Sequence, residues 1–111
     1  MKDTNLAGED DQPVDLSSIP AGALVKSFTI VNAKGLHARA SAKFVLTVEK
    51  FDAEVWVSRG GETVGGTSIM GLMMLAAGPG TAITVIANGR EAAQALEALE
   101  TLVNSRFEEG D

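Results

Sequence analysis

The chain has one histidine, His37, which follows Gly35-Leu36 and stands just ahead of a helical pattern opening near Ala38, with Arg39 two residues on. A helix start leaves its first backbone N–H groups unpaired and carries a partial positive charge, so the amides of Ala38 and Arg39 form a natural cradle for an anion. A neutral imidazole at that point offers a nitrogen lone pair as nucleophile, and the Arg39 guanidinium adds a planar donor for a bound phosphoryl group. One nucleophile, two amides and one guanidinium are enough to hold a phosphate. As a bare spacing, His-x-Arg at a helix start fits equally a simple N-cap with a solvated arginine.

Composition removes most other chemistries. With no cysteine and a single histidine among 111 residues, there is no disulfide framework, thiolate site, cysteine nucleophile or multi-histidine metal centre. The net charge of -6 argues against a sequence-independent nucleic-acid binder, which needs clustered Lys and Arg to neutralise phosphates. Gly60-Gly61 and Gly65-Gly66 lack the Lys-Ser/Thr of a nucleotide-binding loop, so no cofactor or metal is expected. The longest apolar stretch, Ile69 to Ala77, is interrupted by Gly71 and falls far short of the ~20 residues of a membrane span. The first residues are acidic where a secretion signal would be basic and then apolar, so a cytoplasmic location is expected.

The elements that must position His37 follow from patterning. Residues 1–22 carry Asp3, Glu9, Asp10, Asp11 and Asp15 against Lys2 alone and hold Pro13 and Pro20, which predicts a disordered tail or, alternatively, an acidic docking tail. One domain is expected over 23–107, with 108–111 as a C-terminal tail. Leu24 to Val31 reads as a half-buried strand, and Ala38 to Lys50 as a helix burying Phe44, Val45 and Val48 while Arg39, Lys43 and Lys50 stay wet. Ala53 to Arg59 and Glu62 to Val64 flank the Gly60-Gly61 turn as a hairpin. Thr67-Ser68 introduces a short helix, Ile69 to Leu75, ended by Gly78-Pro79-Gly80. A strand over Thr81 to Ala87 and a last helix presenting Ala92, Leu96, Leu99 and Val103 complete a βαββαβα order. That order predicts an α+β fold, an antiparallel sheet with helices on one face and the other face partly open. Trp56 belongs either on the open face or at its rim as a shield.

Gly35-Leu36-His37-Ala38-Arg39 resembles the active-site signature of the HPr family, the histidine phosphocarriers of the bacterial phosphoenolpyruvate-dependent phosphotransferase system, and Ser68-Ile69-Met70-Gly71-Leu72-Met73 resembles that family's regulatory-serine segment. The resemblance spans about residues 23 to 107 and implies an HPr-like open-faced β-sandwich, with four antiparallel strands and three helices on one face. It implies that Nδ1 of His37 accepts a phosphoryl group from phosphorylated enzyme I and passes it to an enzyme IIA domain, for sugar uptake or phosphotransferase-linked regulation. The molecule would then be a stoichiometric carrier rather than an enzyme. The family usually continues Arg-Pro-Ala where this chain has Arg39-Ala40-Ser41, a loss that loosens the first helical turn but removes no phosphate ligand.

Taken alone, Ser68 reads as an N-cap. The resemblance implies that an HPr kinase/phosphorylase can phosphorylate it, a charge that would impede docking. The helix after it is apolar nearly all round and cannot bury every side, so Ile69, Met70 and Met73, continued by Ala42 and Leu46, are expected to form a partner-docking patch beside His37. The competing reading places all of them in the core. A monomer is expected for a carrier that shows one face to successive partners. Two alternatives stand beside the carrier: a non-catalytic regulatory interaction module using the same surface, and a small-molecule regulatory domain.

Overall fold

The computed structural model describes residues 19–109. Residues 1–18, and with them most of the expected tail, lie outside the described part. The elements run β1 (Leu24–Thr29), α1 (Ala38–Val48), β2 (Glu54–Arg59), β3 (Glu62–Gly65), α2 (Ile69–Met74), β4 (Ala82–Asn88) and α3 (Ala92–Asn104), followed by a 3₁₀ turn, Arg106–Glu108. The βαββαβα order expected from the sequence is the order observed, with ends shifted by one or two residues.

Alternation sets which face each strand residue takes. All pairings are antiparallel, in the spatial order β1-β4-β2-β3, with Phe28 opposite Ile83, Val57 opposite both Val85 and Val64, and Trp56 opposite Ile86. Gly60 (φ 61°) and Gly61 (φ 87°) turn the β2–β3 hairpin in the left-handed conformation that matches strand twist. Phe28, Val55, Val57, Ile83 and Val85 point toward the helices. There they close one core with Phe44 and Val48 of α1, Leu72 of α2, Leu99 and Val103 of α3, and Phe107 of the 3₁₀ turn. Phe44 is fully buried, so its truncation to alanine would cost about 3–5 kcal/mol.

One residue departs from the sequence reading, and another takes one of the two positions that reading allowed. Lys43 is half-buried rather than wet, because its Nζ donates to the Phe107 carbonyl oxygen at 2.6 Å. Trp56 stands on the helix-free face, yet is only 6% exposed.

Candidate functional site

The approach to His37 is built by a tight turn. Asn32, fully buried, receives the Gly35 amide on its carbonyl oxygen at 3.2 Å and donates its side-chain Nδ2 to the Gly35 carbonyl at 2.9 Å. Gly35 has φ 64°, and a β-carbon there would collide with the Ala77 carbonyl oxygen, so glycine is required twice over. The Leu36 amide then donates to that same carbonyl at 3.0 Å, tying the turn to the segment after α2. Ser41 closes the other side, its amide donating to the His37 carbonyl at 2.9 Å and its hydroxyl to the Leu36 carbonyl at 3.2 Å.

His37 is the N-cap residue of α1 in extended conformation, but its side chain makes no capping bond. Instead Nε2 meets Oε2 of Glu109 at 2.5 Å. A carboxylate only accepts, so the shared proton belongs to Nε2 and the lone pair of a neutral ring is left on Nδ1. Glu109 also accepts from Asn32 Nδ2 at 3.3 Å on its other oxygen, and its side chain is 9% exposed against 28% for His37. One end of the imidazole is thus fixed while the ring remains reachable from solvent.

What brings Glu109 to His37 is an unusual C-terminus. Arg106, Phe107 and Glu108 all adopt left-handed conformations, with φ of 59°, 54° and 60°, a geometry that costs L-residues about 1–2 kcal/mol each. The complete burial of Phe107 and the Lys43 bond to its carbonyl oppose that cost. Glu109, which the sequence reading put in a C-terminal tail over 108–111, therefore lies against His37, while residues 110 and 111 are outside the described part.

The amides of Ala38, Arg39 and Ala40 precede the first intrahelical bond, from the Ser41 amide to the His37 carbonyl, and so are the unpaired donors of the α1 N-terminus. The Arg39 side chain is exposed. A shallow cleft lined by His37, Lys34, Leu36, Met73, Ala76 and Gly78 opens beside the imidazole, which places Met73 next to the histidine. Of the expected docking residues only Met73 (39% exposed) lines this cleft; on α1 and α2, Leu46 (61%), Met70 (56%) and Ile69 (40%) are also apolar and open to solvent, as is Met74, with Leu46 lining a separate hollow beside Lys43 and Glu108, while Leu72 and Leu75 are buried. Ala42 is half-buried on α1. Ser68 caps α2: its Oγ accepts from the Gly71 amide at 2.8 Å, and the residue is 3% exposed.

Asn32, Lys43, Phe107 and Glu109 were not found from the sequence. The Asn-Ala-Lys-Gly turn could have flagged Asn32. Nothing local could pair Glu109 with a histidine 72 positions earlier.

Comparison with known proteins identifies the family. The family model described as "PTS HPr component phosphorylation site" matches residues 24–105. The phosphocarrier protein HPr of Neisseria meningitidis serogroup A is 50% identical over 88 residues, covering 79% of this chain and 99% of that protein. The phosphocarrier protein NPr of Shewanella violacea is 40% identical over 86 residues, covering 78% and 94%. Among solved structures, HPr from Thermoanaerobacter tengcongensis superposes with a TM-score of 0.75 at 36% identity, over 79% of this chain and 99% of the other.

Proposed function

Because this chain belongs to the HPr phosphocarrier family of the phosphotransferase system, we propose that His37 carries a phosphoryl group on Nδ1, received from phosphorylated enzyme I and passed to an enzyme IIA domain. The observation that carries this reading is the Nε2 contact to Glu109, which leaves Nδ1 as the basic ring nitrogen beside the open α1 N-terminus. The lone pair attacks phosphorus, the bond to the donor protein breaks, and the Ala38 and Arg39 amides with the Arg39 guanidinium donate hydrogen bonds to the phosphoryl oxygens. Glu109 compensates the positive charge that the ring gains. The cradle is solvent-exposed and is not a closed pocket, which suits a carrier that must release its cargo.

Docking of both partners is assigned to Ile69, Met70 and Met73 with Leu46 and Ala42, a surface whose methionines adapt to differing partner shapes. The relay operates in the cytoplasm as a monomer; both sugar-uptake and regulatory branches fit a chain with HPr and NPr relatives. Among the described residues no helix is long and apolar enough to cross a membrane. Regulatory phosphorylation of Ser68 by an HPr kinase/phosphorylase requires the first turn of α2 to open, since the hydroxyl is buried as a cap. Intact mass and protease mapping of the kinase-treated protein, with Ser68→Ala as control, test this; equal labelling of the variant rejects it.

The carrier role is tested by incubating the protein with enzyme I, phosphoenolpyruvate and magnesium, followed by intact mass and phosphorus NMR. One acid-labile phosphate, lost in His37→Ala, is expected. A parent that stays unmodified while a control carrier is labelled overturns the proposal.

A further inference from the structure

Lys43 stands apart from the histidine. It does not line the cleft beside the imidazole but a separate hollow, with Leu46, Thr47, Leu102 and Glu108. Its ammonium nevertheless holds the backbone that carries Glu109. Nζ donates to the Phe107 carbonyl oxygen at 2.6 Å, a short bond from a charged donor and so one of the stronger kinds. Beyond α3 the chain passes through Arg106, Phe107 and Glu108, all left-handed, a conformation that L-residues keep only where their surroundings impose it. The Glu108 amide donates to the Ser105 carbonyl at 3.0 Å and the Glu109 amide to the Arg106 carbonyl at 3.1 Å. These bonds close the turn on itself without tying it to the sheet or to α1. The buried Phe107 ring sets where the turn sits, and Lys43 sets which way the peptide between Phe107 and Glu108 faces. Glu109 is the next residue after that peptide. At its far end Oε2 meets Nε2 of His37 at 2.5 Å, while Oε1 accepts from Asn32 Nδ2 at 3.3 Å, too long for a strong hold. The backbone must therefore deliver the carboxylate to the ring.

We infer that Lys43 is a positioning residue for phosphoryl transfer: by anchoring the Phe107 carbonyl it keeps Glu109 on Nε2, and so keeps the lone pair on Nδ1. The inference rests on the carrier reading of His37. In that step Nδ1 bonds to phosphorus as the donor's bond to phosphorus breaks, Nε2 retains its proton, and the ring gains a positive charge that Glu109 offsets. Without the ammonium the left-handed turn relaxes and the carboxylate leaves the ring. The phosphorylated imidazole then lacks its counter-charge, and the phosphoryl group is held less well against return to enzyme I.

Lys43→Met keeps the aliphatic stem and removes the ammonium. In the full chain it is expected to turn the nitrogen-15 spectrum of His37 from one dominant Nε2–H form into a mixture. The ratio of phosphorylated carrier to phosphorylated enzyme I at equilibrium is expected to fall several-fold, and Lys43→Arg, which retains a charged donor, to restore both readouts. Glu109→Ala identifies the route, since Lys43→Met in that background is expected to add no further loss. A His37 spectrum that stays parental in Lys43→Met overturns the inference. So does an equal loss with and without Glu109, which would make Lys43 a direct contact of enzyme I, and so does a Lys43→Arg chain as impaired as Lys43→Met. Should Lys43→Met fail to fold, Lys43→Gln, shorter and uncharged, takes its place with the same outcomes. A parent that enzyme I leaves unphosphorylated overturns the carrier role and the transfer part of the inference together, whereas a parental spectrum in Lys43→Met strikes Lys43 alone.

Discussion

His37 and Glu109 are locked in a 2.5 Å contact at opposite ends of the domain's sequence, and the contact assigns the ring's two nitrogens to different tasks. In Glu109→Ala the ring loses the acceptor that selects its tautomer. Nitrogen-15 NMR of the imidazole is expected to change from one dominant Nε2–H form to a mixture, with a stability loss of about 1 kcal/mol. An unchanged tautomer would show that Glu109 merely neighbours the histidine.

Gly35→Ala places a β-carbon against the Ala77 carbonyl oxygen in a left-handed backbone. The conformational term alone is about 1–2 kcal/mol, and the collision adds to it, so urea unfolding should register at least about 2 kcal/mol. Because Leu36 and His37 follow directly, the His37–Glu109 contact is expected to loosen too, visible as altered histidine shifts in the folded variant.

Met70→Asp probes the apolar surface. Met70 is 56% exposed, so stability should change by no more than about 0.5 kcal/mol. Phosphoryl transfer from enzyme I should fall about tenfold, the effect of losing one buried interface contact. A large drop in melting temperature with unimpaired transfer would place Met70 in the core instead.

Ser68→Ala removes the oxygen that receives the Gly71 amide at 2.8 Å. Loss of such a cap costs about 1 kcal/mol, measurable by denaturant unfolding, and faster hydrogen exchange should be confined to the start of α2.

Ala76 follows the C-cap of α2 with φ 53°, in the position that helices usually give to glycine. Ala76→Gly is expected to stabilise the protein by about 0.5–1 kcal/mol, strain relief exceeding the added freedom of the unfolded chain. A destabilised variant would show that the Ala76 methyl contributes packing worth more than the strain.

The fold was legible because its signals are local. The alternation around Val55–Val57, the Gly60-Gly61 turn and the Phe44–Val48 stripe each declare an element within a few residues. The histidine and the helix start behind it were legible for the same reason, since Gly35 to Arg39 are contiguous. What escaped was non-local. Glu109 reaches His37 only through three left-handed residues that no propensity favours, held by a buried Phe107 and by a lysine that looked solvated. The near-complete burial of Trp56 on the helix-free face was not legible from alternation either.

The sheet order has a consequence for how the molecule is made. β1 emerges first during synthesis, but its pairing partner is β4, with Leu24 opposite Ala87, so the first strand waits while the β2–β3 hairpin closes on its own. Of the sheet's pairings β1–β4 closes the longest loop and so carries the largest closure entropy. The His37 loop leans on Ala77 and then on Glu109; a growing chain therefore contains its histidine long before it contains the histidine's setting, and the ring is held for use only once Glu109 has emerged.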